Sequence, residues 1–331
     1  MKRGRAGAGA ARARAVSIVL GALIALALLP SLAGATQPIE MAAPYEYLGW
    51  GNPQPPATVI ATTGIHDLTL AFVLSHGTCN PEWDGSRPLA GGVDEAAIHS
   101  IRAAGGDVSV SFGGWSGKKI GSSCKTAAAL AGAYQKVIDA YSLRSIDIDI
   151  EHGEFNNKKT RKRVIEALAL VQRANSGIEI SVTFGSAEDG PEAAGISLIA
   201  DAAAIGFQPT VWTIMPFDFG AALTDMGHAS IRALEGLETD LVSAYGISAA
   251  VAYQHVGLSS MNGETDEASE TVSLEDFQTM LTFAQLHHLG RFSFWSVNRD
   301  RQCAAAEGED ECSGITQSPY AFTDLLAQYH G

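Results

Sequence analysis

Residues 144–151 read Arg-Ser-Ile-Asp-Ile-Asp-Ile-Glu, and within this octapeptide acidic side chains alternate strictly with isoleucines. Successive side chains of a β-strand point to opposite faces, so Asp147, Asp149 and Glu151 share one face and the isoleucines share the other. A solvated edge strand would not need such regular isoleucines. The alternation therefore predicts a strand with isoleucines against a helical layer and acids facing inward.

The segments on either side of the octapeptide alternate between short β-rich runs and longer amphipathic patterns. We predict strands at Tyr45–Trp50, Leu68–Leu74, Val108–Gly113, Ser145–Glu151, Ile178–Phe184, Val211–Phe217, Ser248–Tyr253 and Arg291–Ser296. We predict helices at Val93–Ala104, Thr126–Tyr141, Lys159–Ala174, His228–Tyr245, Leu274–Leu289 and Ala321–Tyr329. This order predicts β-α-β units and, with eight strands, a single-domain α/β fold of the (β/α)8 TIM-barrel type. The alternative is an open doubly wound sheet, but the sequence lacks the glycine-rich phosphate loop that such sheets normally carry.

The first 35 residues have the pattern of a secretory signal peptide. Five Lys and Arg residues precede an apolar stretch from about Ala15 to Leu29, and the small residues Ala33-Gly34-Ala35 follow. A retained membrane anchor is the competing interpretation, but the apolar run is short of the ~20 residues that span a bilayer. We expect residues 1–35 to be removed, residues 36–331 to form the catalytic domain, and the protein to be secreted with no membrane association after cleavage.

The net charge of the chain argues against some classes of binding partner. The formal net charge is −14, and loss of five positive charges with the signal would make it −19. Nucleic acids and anionic membranes require clustered Lys and Arg, so this acidity argues against both. It suits a neutral substrate, although solubility alone would also explain it. The sequence indicates no metal or other cofactor.

The four cysteines predict two disulfides, because an even number of cysteines in an exported chain is usually paired. Three pairings are possible. We favour Cys79–Cys124 and Cys303–Cys312, the second of which would close a short acidic loop.

The acidic face of residues 144–151 predicts proton chemistry. Glu151 would lie nearest the carboxyl-terminal rim, where barrel enzymes keep their active sites. Burial and neighbouring negative charge both favour the protonated carboxyl, and a protonated Glu near neutral pH is what a general acid requires. An oxygen-ligated metal site is the alternative, although such sites usually draw carboxylates from several elements.

Four motifs in order resemble those of glycoside hydrolase family 18, the chitinase family. The family's fourth-strand signature, D-G-x-D-x-D-x-E, is similar to residues 144–151 in its last three acids. The other three are Ser111-Phe-Gly-Gly114, which matches S-x-G-G; Met215-Pro-Phe-Asp218, which resembles the sixth-strand motif; and Trp295 on the eighth strand.

The resemblance implies a role for each acid. Glu151 would protonate the leaving oxygen, and Asp149 would orient the 2-acetamido group of the substrate. Asp147 would share a proton with Asp149, and Asp218 would hold the substrate and influence the charge at Glu151. The resemblance and the rim position together suggest these substrate-binding residues: Trp295, Met215, Trp115, Tyr253, Tyr47 and Phe217.

The sequence departs from the family pattern at three places, one of which is the predicted seventh-strand segment, residues 249–255. Arg144 and Ser145 replace the first Asp and Gly of the signature. Many members have a tyrosine beside the sixth-strand Asp, whereas both neighbours of Asp218 are phenylalanines. Tyr253 and Tyr47 are the candidates to supply the missing hydroxyl group, and a role in packing is the alternative for each.

The resemblance implies a chitinase that cleaves β-1,4 linkages between N-acetylglucosamine units with retention of configuration. In this family the substrate's own acetamido oxygen attacks the anomeric carbon. We expect an endo-acting monomer without the family's insertion domain, with chitin or N-acetylglucosamine oligomers as substrate. The alternatives are an endo-β-N-acetylglucosaminidase acting on glycans and a catalytically silent sugar-binding protein.

Overall fold

Eight parallel strands alternate with helices in the computed structural model, which describes Met1, Gly7 and residues 38–220, 223–267, 269–304 and 310–331. The strands of the described residues are β1 Tyr45–Tyr47, β2 Asp67–Ser75, β3 Pro81–Trp83, β4 Asp107–Gly113, β5 Ser145–Asp149, β6 Glu179–Gly185, β7 Val211–Met215, β8 Val256–Met261, β9 Gly263–Glu264, β10 Thr271–Val272 and β11 Arg291–Trp295. The helices are α1 Pro56–Thr63, α2 Val93–Ala103, α3 Ile120–Ser123, α4 Ala127–Tyr141, α5 His152–Asn156, α6 Lys158–Ala174, α7 Ala193–Ala204, α8 Met226–Tyr245, α9 Ala249–Tyr253, α10 Leu274–His287 and α11 Ala321–Leu326. Short 3-10 helices occupy Ile39–Ala42 and Val297–Arg299.

The barrel follows the order β1-β2-β4-β5-β6-β7-β8-β11, with each strand hydrogen-bonded in parallel to the next. Asn298, just after β11, completes the ring. Its side chain accepts the backbone N–H of Tyr47 at 2.9 Å and donates to the carbonyl of Tyr47 at 2.8 Å, as a neighbouring strand would. The (β/α)8 TIM barrel predicted from the sequence is confirmed.

The barrel core has the alternation that the octapeptide predicts. Ile146, Ile148 and Ile150 are buried in the large apolar cluster between the strands and the helices. Burying these side chains stabilises the fold by roughly 1.5–3 kcal/mol each. At the amino-terminal end of the barrel, the 3-10 helix Ile39–Ala42 lies against β2, β4, β6 and β11, so it closes that end.

Local capping explains why most helix positions agree with the sequence patterns. Thr126, Asn157 and Asp225 accept backbone N–H groups at the starts of α4, α6 and α8. Ser273 and Asp276 form a capping box at the start of α10. Such side chains satisfy N–H groups that the first helical turn leaves unpaired, so a helix begins where they occur.

The prediction of the seventh strand is wrong. Ser248–Tyr253 does not form a strand, since Ala249–Tyr253 is the short helix α9 and the Ser248 hydroxyl caps it by accepting the N–H of Val251. The seventh barrel strand is β8, which begins at Val256. A short apolar run fits a buried strand and a buried helical turn equally well, and here the serine cap and the alanines favour the helix.

Two disulfides, Cys79–Cys124 and Cys303–Cys312, confirm the preferred pairing. The connection from β8 to α10 covers residues 262–273, and its described part forms only the β9–β10 hairpin. None of the helices in the described ranges has both the length and the apolar character needed to cross a bilayer. Apart from Met1 and Gly7, the predicted signal peptide lies outside the described residues.

Candidate active site

The acidic strand directs its carboxyls into the barrel and toward its carboxyl-terminal mouth. Asp147 lies opposite Ser111 on β4 and Ser181 on β6, and Asp149 is 4% exposed. The strand ends at Asp149, two residues earlier than predicted, but Glu151 keeps an extended backbone with φ −130° and ψ 170°. Its side chain therefore continues the alternation to the rim.

Asp147 accepts hydrogen bonds from four donors. Its Oδ2 accepts from the hydroxyls of Tyr45 at 2.8 Å and Ser111 at 2.6 Å. Its Oδ1 accepts from the hydroxyl of Thr183 at 2.6 Å and the guanidinium of Arg291 at 3.1 Å. Both oxygens of this fully buried carboxyl therefore have partners.

Asp149 has the opposite environment, which favours its protonated form. Its Oδ1 is buried and has no hydrogen-bond partner in the described part of the chain. Burial raises the pKa of Asp149 well above its usual value, and the negative charges of Glu151 and Asp147 raise it further. No hydrogen bond joins Asp149 to Asp147 among the described residues, so the structure does not show the proton sharing that the resemblance implied.

Glu151 is poised to exchange a proton near neutral pH. Burial raises its pKa to about 7; the positive charge of Lys119 opposes this rise, and the charges of Asp266 and Asp218 add to it. A carboxyl with a pKa near the working pH is present in both protonation states. It can therefore act first as an acid and then as a base.

Asp218 follows β7 and belongs to the group of charges around Glu151. Its Oδ1 accepts the backbone N–H of Glu267 at 3.1 Å, and burial raises its pKa. Its backbone has a left-handed φ of 55°, which turns the chain sharply after Met215. Met215 is half-buried at the end of β7, and Phe217 is half-buried against the apolar core.

An aromatic cluster adjoins the acids. The rings of Phe72 and Trp295 stack with centroids 5.5 Å apart and an interplanar angle of 11°. Tyr45 and Tyr47 lie 5.9 and 6.5 Å from the Trp295 ring. Because the Tyr45 hydroxyl donates to Asp147, this cluster and the acidic strand form one continuous wall. A flat apolar surface of this kind can pack against the C–H face of a sugar ring.

Trp115 stands at the rim beside the end of the acidic strand. It is 69% exposed, and its ring centroid lies 3.6 Å from that of His152, the residue after Glu151. The S-x-G-G motif before it allows this approach. A Cβ on Gly113, whose φ is 117°, would lie 2.0 Å from the carbonyl oxygen of Asp149, so only glycine fits there.

Neither tyrosine proposed to supply a free hydroxyl is in a position to do so. Tyr253 is on α9, where its ring packs against Phe283 and His287 at 5.9 and 4.4 Å, so its assignment to the substrate site is wrong. The Tyr47 hydroxyl hydrogen-bonds Asp84, which together with burial raises the pKa of Tyr47.

Sequence reasoning missed the two buried cations of the site. Arg291 has no exposed surface and donates to Asp147, and Lys119 is 7% exposed near Glu151. The signal for Arg291 was its period-two spacing with Trp295, which places both on the inner face of β11. Lys119 lies in a loop, and no periodicity indicates its direction. No group of His, Cys, Asp and Glu suited to hold a metal ion occurs among the residues the structure describes.

Comparison with known proteins shows that the chain is similar to chitinases. No protein-family profile matches the chain. The catalytic domain of a hyperthermophilic chitinase from Pyrococcus furiosus is 29% identical, with a TM-score of 0.79 over 89% of this chain and 96% of that domain. The chain is a homologue of the family 18 chitinases.

Other chitinases support this relationship. A probable bifunctional chitinase/lysozyme of Escherichia coli is 27% identical over 82% of this chain and 32% of its own length. Endochitinase 11 of Metarhizium anisopliae is 27% identical over 72% of this chain and 48% of its own length. This chitinase homologue thus spans about a third to a half of those two proteins. Catalytic-site mutants of the Pyrococcus furiosus chitinase were crystallised with chito-oligosaccharides, and they are 28% identical with a TM-score of 0.79 over 89% of this chain and 95% of theirs.

Proposed function

We propose that the protein hydrolyses β-1,4 linkages between N-acetylglucosamine units of chitin and its oligomers, with Glu151 as general acid and base. The observation that carries this proposal is a glutamic acid with a pKa of about 7 at the mouth of the barrel. Its similarity to chitinases gives the substrate class, and the stacked aromatic pair Phe72 and Trp295 offers a sugar-binding surface.

The environment of each acid supports a substrate-assisted mechanism. A retaining glycosidase that uses its own nucleophile needs a carboxylate across the sugar, about 5–5.5 Å from the acid. Asp149 is on the same face of the same segment as Glu151, burial raises its pKa, and Asp147 is occupied by four donors. Neither is suited to attack, so the acetamido carbonyl oxygen of the substrate is the better nucleophile.

The reaction then proceeds in two steps. Glu151 gives its proton to the glycosidic oxygen while the acetamido oxygen bonds to the anomeric carbon, which expels the leaving sugar and forms an oxazolinium ion. Asp149 accepts the amide N–H through a carboxyl oxygen and so orients the acetamido group. Water then attacks the anomeric carbon from the side of the leaving group and gives a proton to Glu151. The bond between the anomeric carbon and the acetamido oxygen breaks, which restores the acetamido group and retains the configuration.

We also propose that the protein is exported as a monomer. The charge and apolar pattern of residues 1–35 supports cleavage of a signal peptide, and two disulfides suit an oxidising compartment. Detection of the protein in culture medium, beginning near residue 36 by amino-terminal sequencing, tests this proposal.

The decisive experiment compares cleavage of N-acetylglucosamine oligomers by the wild type and by Glu151→Gln. We expect the variant to be at least ~100-fold slower, the lower end of general-acid contributions. Glu166→Gln, a matched change on the outer surface of α6, should leave the rate unchanged. Fully deacetylated oligomers should not be cleaved, and ¹H NMR should show the retained anomer first.

The outcomes separate the alternatives. Equal rates for the wild type and Glu151→Gln would refute the assignment of the acid. Binding of oligomers without cleavage by the wild type would instead identify a sugar-binding protein. Cleavage of glycan cores in preference to chitin oligomers would identify an endo-β-N-acetylglucosaminidase.

A further inference from the structure

Lys119 is a buried lysine whose ammonium group holds the turn that follows β4. Its Nζ donates to the backbone carbonyls of Gly113 at 3.2 Å, Gly114, and Ser116 at 2.5 Å. An ammonium group has three N–H donors, so these carbonyls satisfy all of them. The turn that they belong to carries Trp115 to the rim of the barrel.

The turn needs such an anchor because glycines dominate it. Gly113, Gly114 and Gly117 have φ values of 117°, 77° and 79°, which glycine adopts at little steric cost. Glycine also gives the unfolded turn many other conformations, and glycines offer no side chains to pack. A single buried donor group that gathers three carbonyls therefore selects one conformation.

The same ammonium group faces the acids of the site. Its positive charge acts on Asp149 and Glu151 at the end of β5 and on Glu154 in α5. Of the described charges that act on Glu151, Lys119 lowers its pKa, whereas Asp266 and Asp218 raise it. The pKa of Glu154 is also raised, by burial, to about 7, and Lys119 again opposes the rise.

We propose that Lys119 is a positioning residue of the active site, which fixes the turn bearing Trp115 and places a positive charge beside Glu151 and Asp149. The inference deepens the function proposed above and rests on it. It assigns one side chain to two tasks. The turn sets the rim on which the leaving sugar rests, and the charge keeps Glu151 able to ionise when it must take a proton from water.

Three variants separate these tasks. Lys119→Met removes both the charge and the donors, whereas Lys119→Gln removes the charge but keeps an amide that can donate to two carbonyls. The matched control is Lys118→Met, because Lys118 is the adjacent lysine, is exposed, and donates from its side chain to the carbonyl of Gly77 rather than to the turn. The control changes the net charge of the protein equally.

Two measurements that do not need turnover test the proposal. Side-chain ¹³C NMR titration, assigned with Glu151→Gln and Glu154→Gln, reads the pKa of Glu151. We expect it to rise by at least ~0.5 unit in Lys119→Met and Lys119→Gln, because an opposite charge is lost, and to stay unchanged in Lys118→Met. Hydrogen exchange across residues 113–118 should accelerate about tenfold or more in Lys119→Met, since hydrogen bonds to a charged group are lost, and less in Lys119→Gln.

A pH profile of kcat/KM supplies the catalytic readout. Its basic limb should move up with the pKa of Glu151 in both Lys119 variants. An unchanged Glu151 pKa, or unchanged exchange of the turn in a folded Lys119→Met protein, would overturn the proposal. Should Lys119→Met not fold, Lys119→Gln gives the pKa test alone. If the Lys119 variants show the expected changes in Glu151 pKa and in hydrogen exchange but the wild type cleaves no oligomer, the proposed function is refuted and the positioning role is supported.

Discussion

The ion pair at the bottom of the acidic stack predicts a large loss of stability on removal of Arg291. Its guanidinium and the Asp147 carboxylate are both fully buried and lie 3.1 Å apart. Arg291→Met would leave an uncompensated charge inside the barrel, and breaking such a buried pair costs about 3–5 kcal/mol. Each kcal/mol lowers the Tm of a domain of this size by roughly 2–4 °C, so we expect a fall of roughly 6–20 °C.

Urea and thermal unfolding, followed by circular dichroism, would measure this loss. The matched control is Arg144→Met, because Arg144 pairs with Asp107 at 2.9 Å but is half-exposed, and it should change stability by less than about 1 kcal/mol. Asp147→Asn should also be destabilising, but the double variant should lose at least ~1 kcal/mol less than the sum of the single losses. Additive losses, or an Arg291→Met protein as stable as the control, would refute the reasoning.

Two further predictions concern stability. Glu46 is fully buried, both its carboxyl oxygens lack partners among the described residues, and burial raises its pKa well above its usual value. The folded state then binds the proton more tightly than the unfolded state, so stability falls as pH rises through the range between the two pKa values. Glu46→Gln should remove this loss, so the free energy of unfolding of the variant should rise relative to the wild type by on the order of 1–3 kcal/mol between pH 5 and pH 8. Urea unfolding at several pH values measures this, and a difference between the two proteins that does not change with pH would contradict the prediction. Replacing the pair Cys79–Cys124 by serines should lower the free energy of unfolding by about 4 kcal/mol, and replacing Cys303–Cys312 by about 2.6 kcal/mol. The difference arises because the two disulfides close loops with sequence separations of 45 and 9 residues. Equal urea unfolding midpoints for the two variants would contradict this.

Most of the fold could be predicted because its signals are local. Isoleucines and acids alternate in β5 with the period of a strand, and capping residues such as Ser273 stand where helices begin. The seventh strand could not be predicted in this way. Residues 248–253 are too short and too apolar for periodicity to distinguish a helical turn from a strand, and only packing on the barrel assigns them to α9.

The acids of the candidate site were visible in the sequence, but their protonation was not. Asp147 and Asp149 are two residues apart on one strand with similar neighbours in sequence. Four donors from β1, β4, β6 and β11 bind the carboxyl of the first, whereas burial without a partner for Oδ1 raises the pKa of the second. The difference comes entirely from groups that other strands bring to the same place.

The amino-acid sequence by itself determined the alternation of strands and helices, the face on which the acids lie and the number of disulfides, because these follow from periodicity and residue type. Only the tertiary structure decided how deeply each acid is buried, which donors bind it and which cation lies beside it. Lys119 and Arg291 are 30 or more positions from the acids that they face. A pKa depends on burial and on charges close in space, and closing the barrel is what brings those charges together.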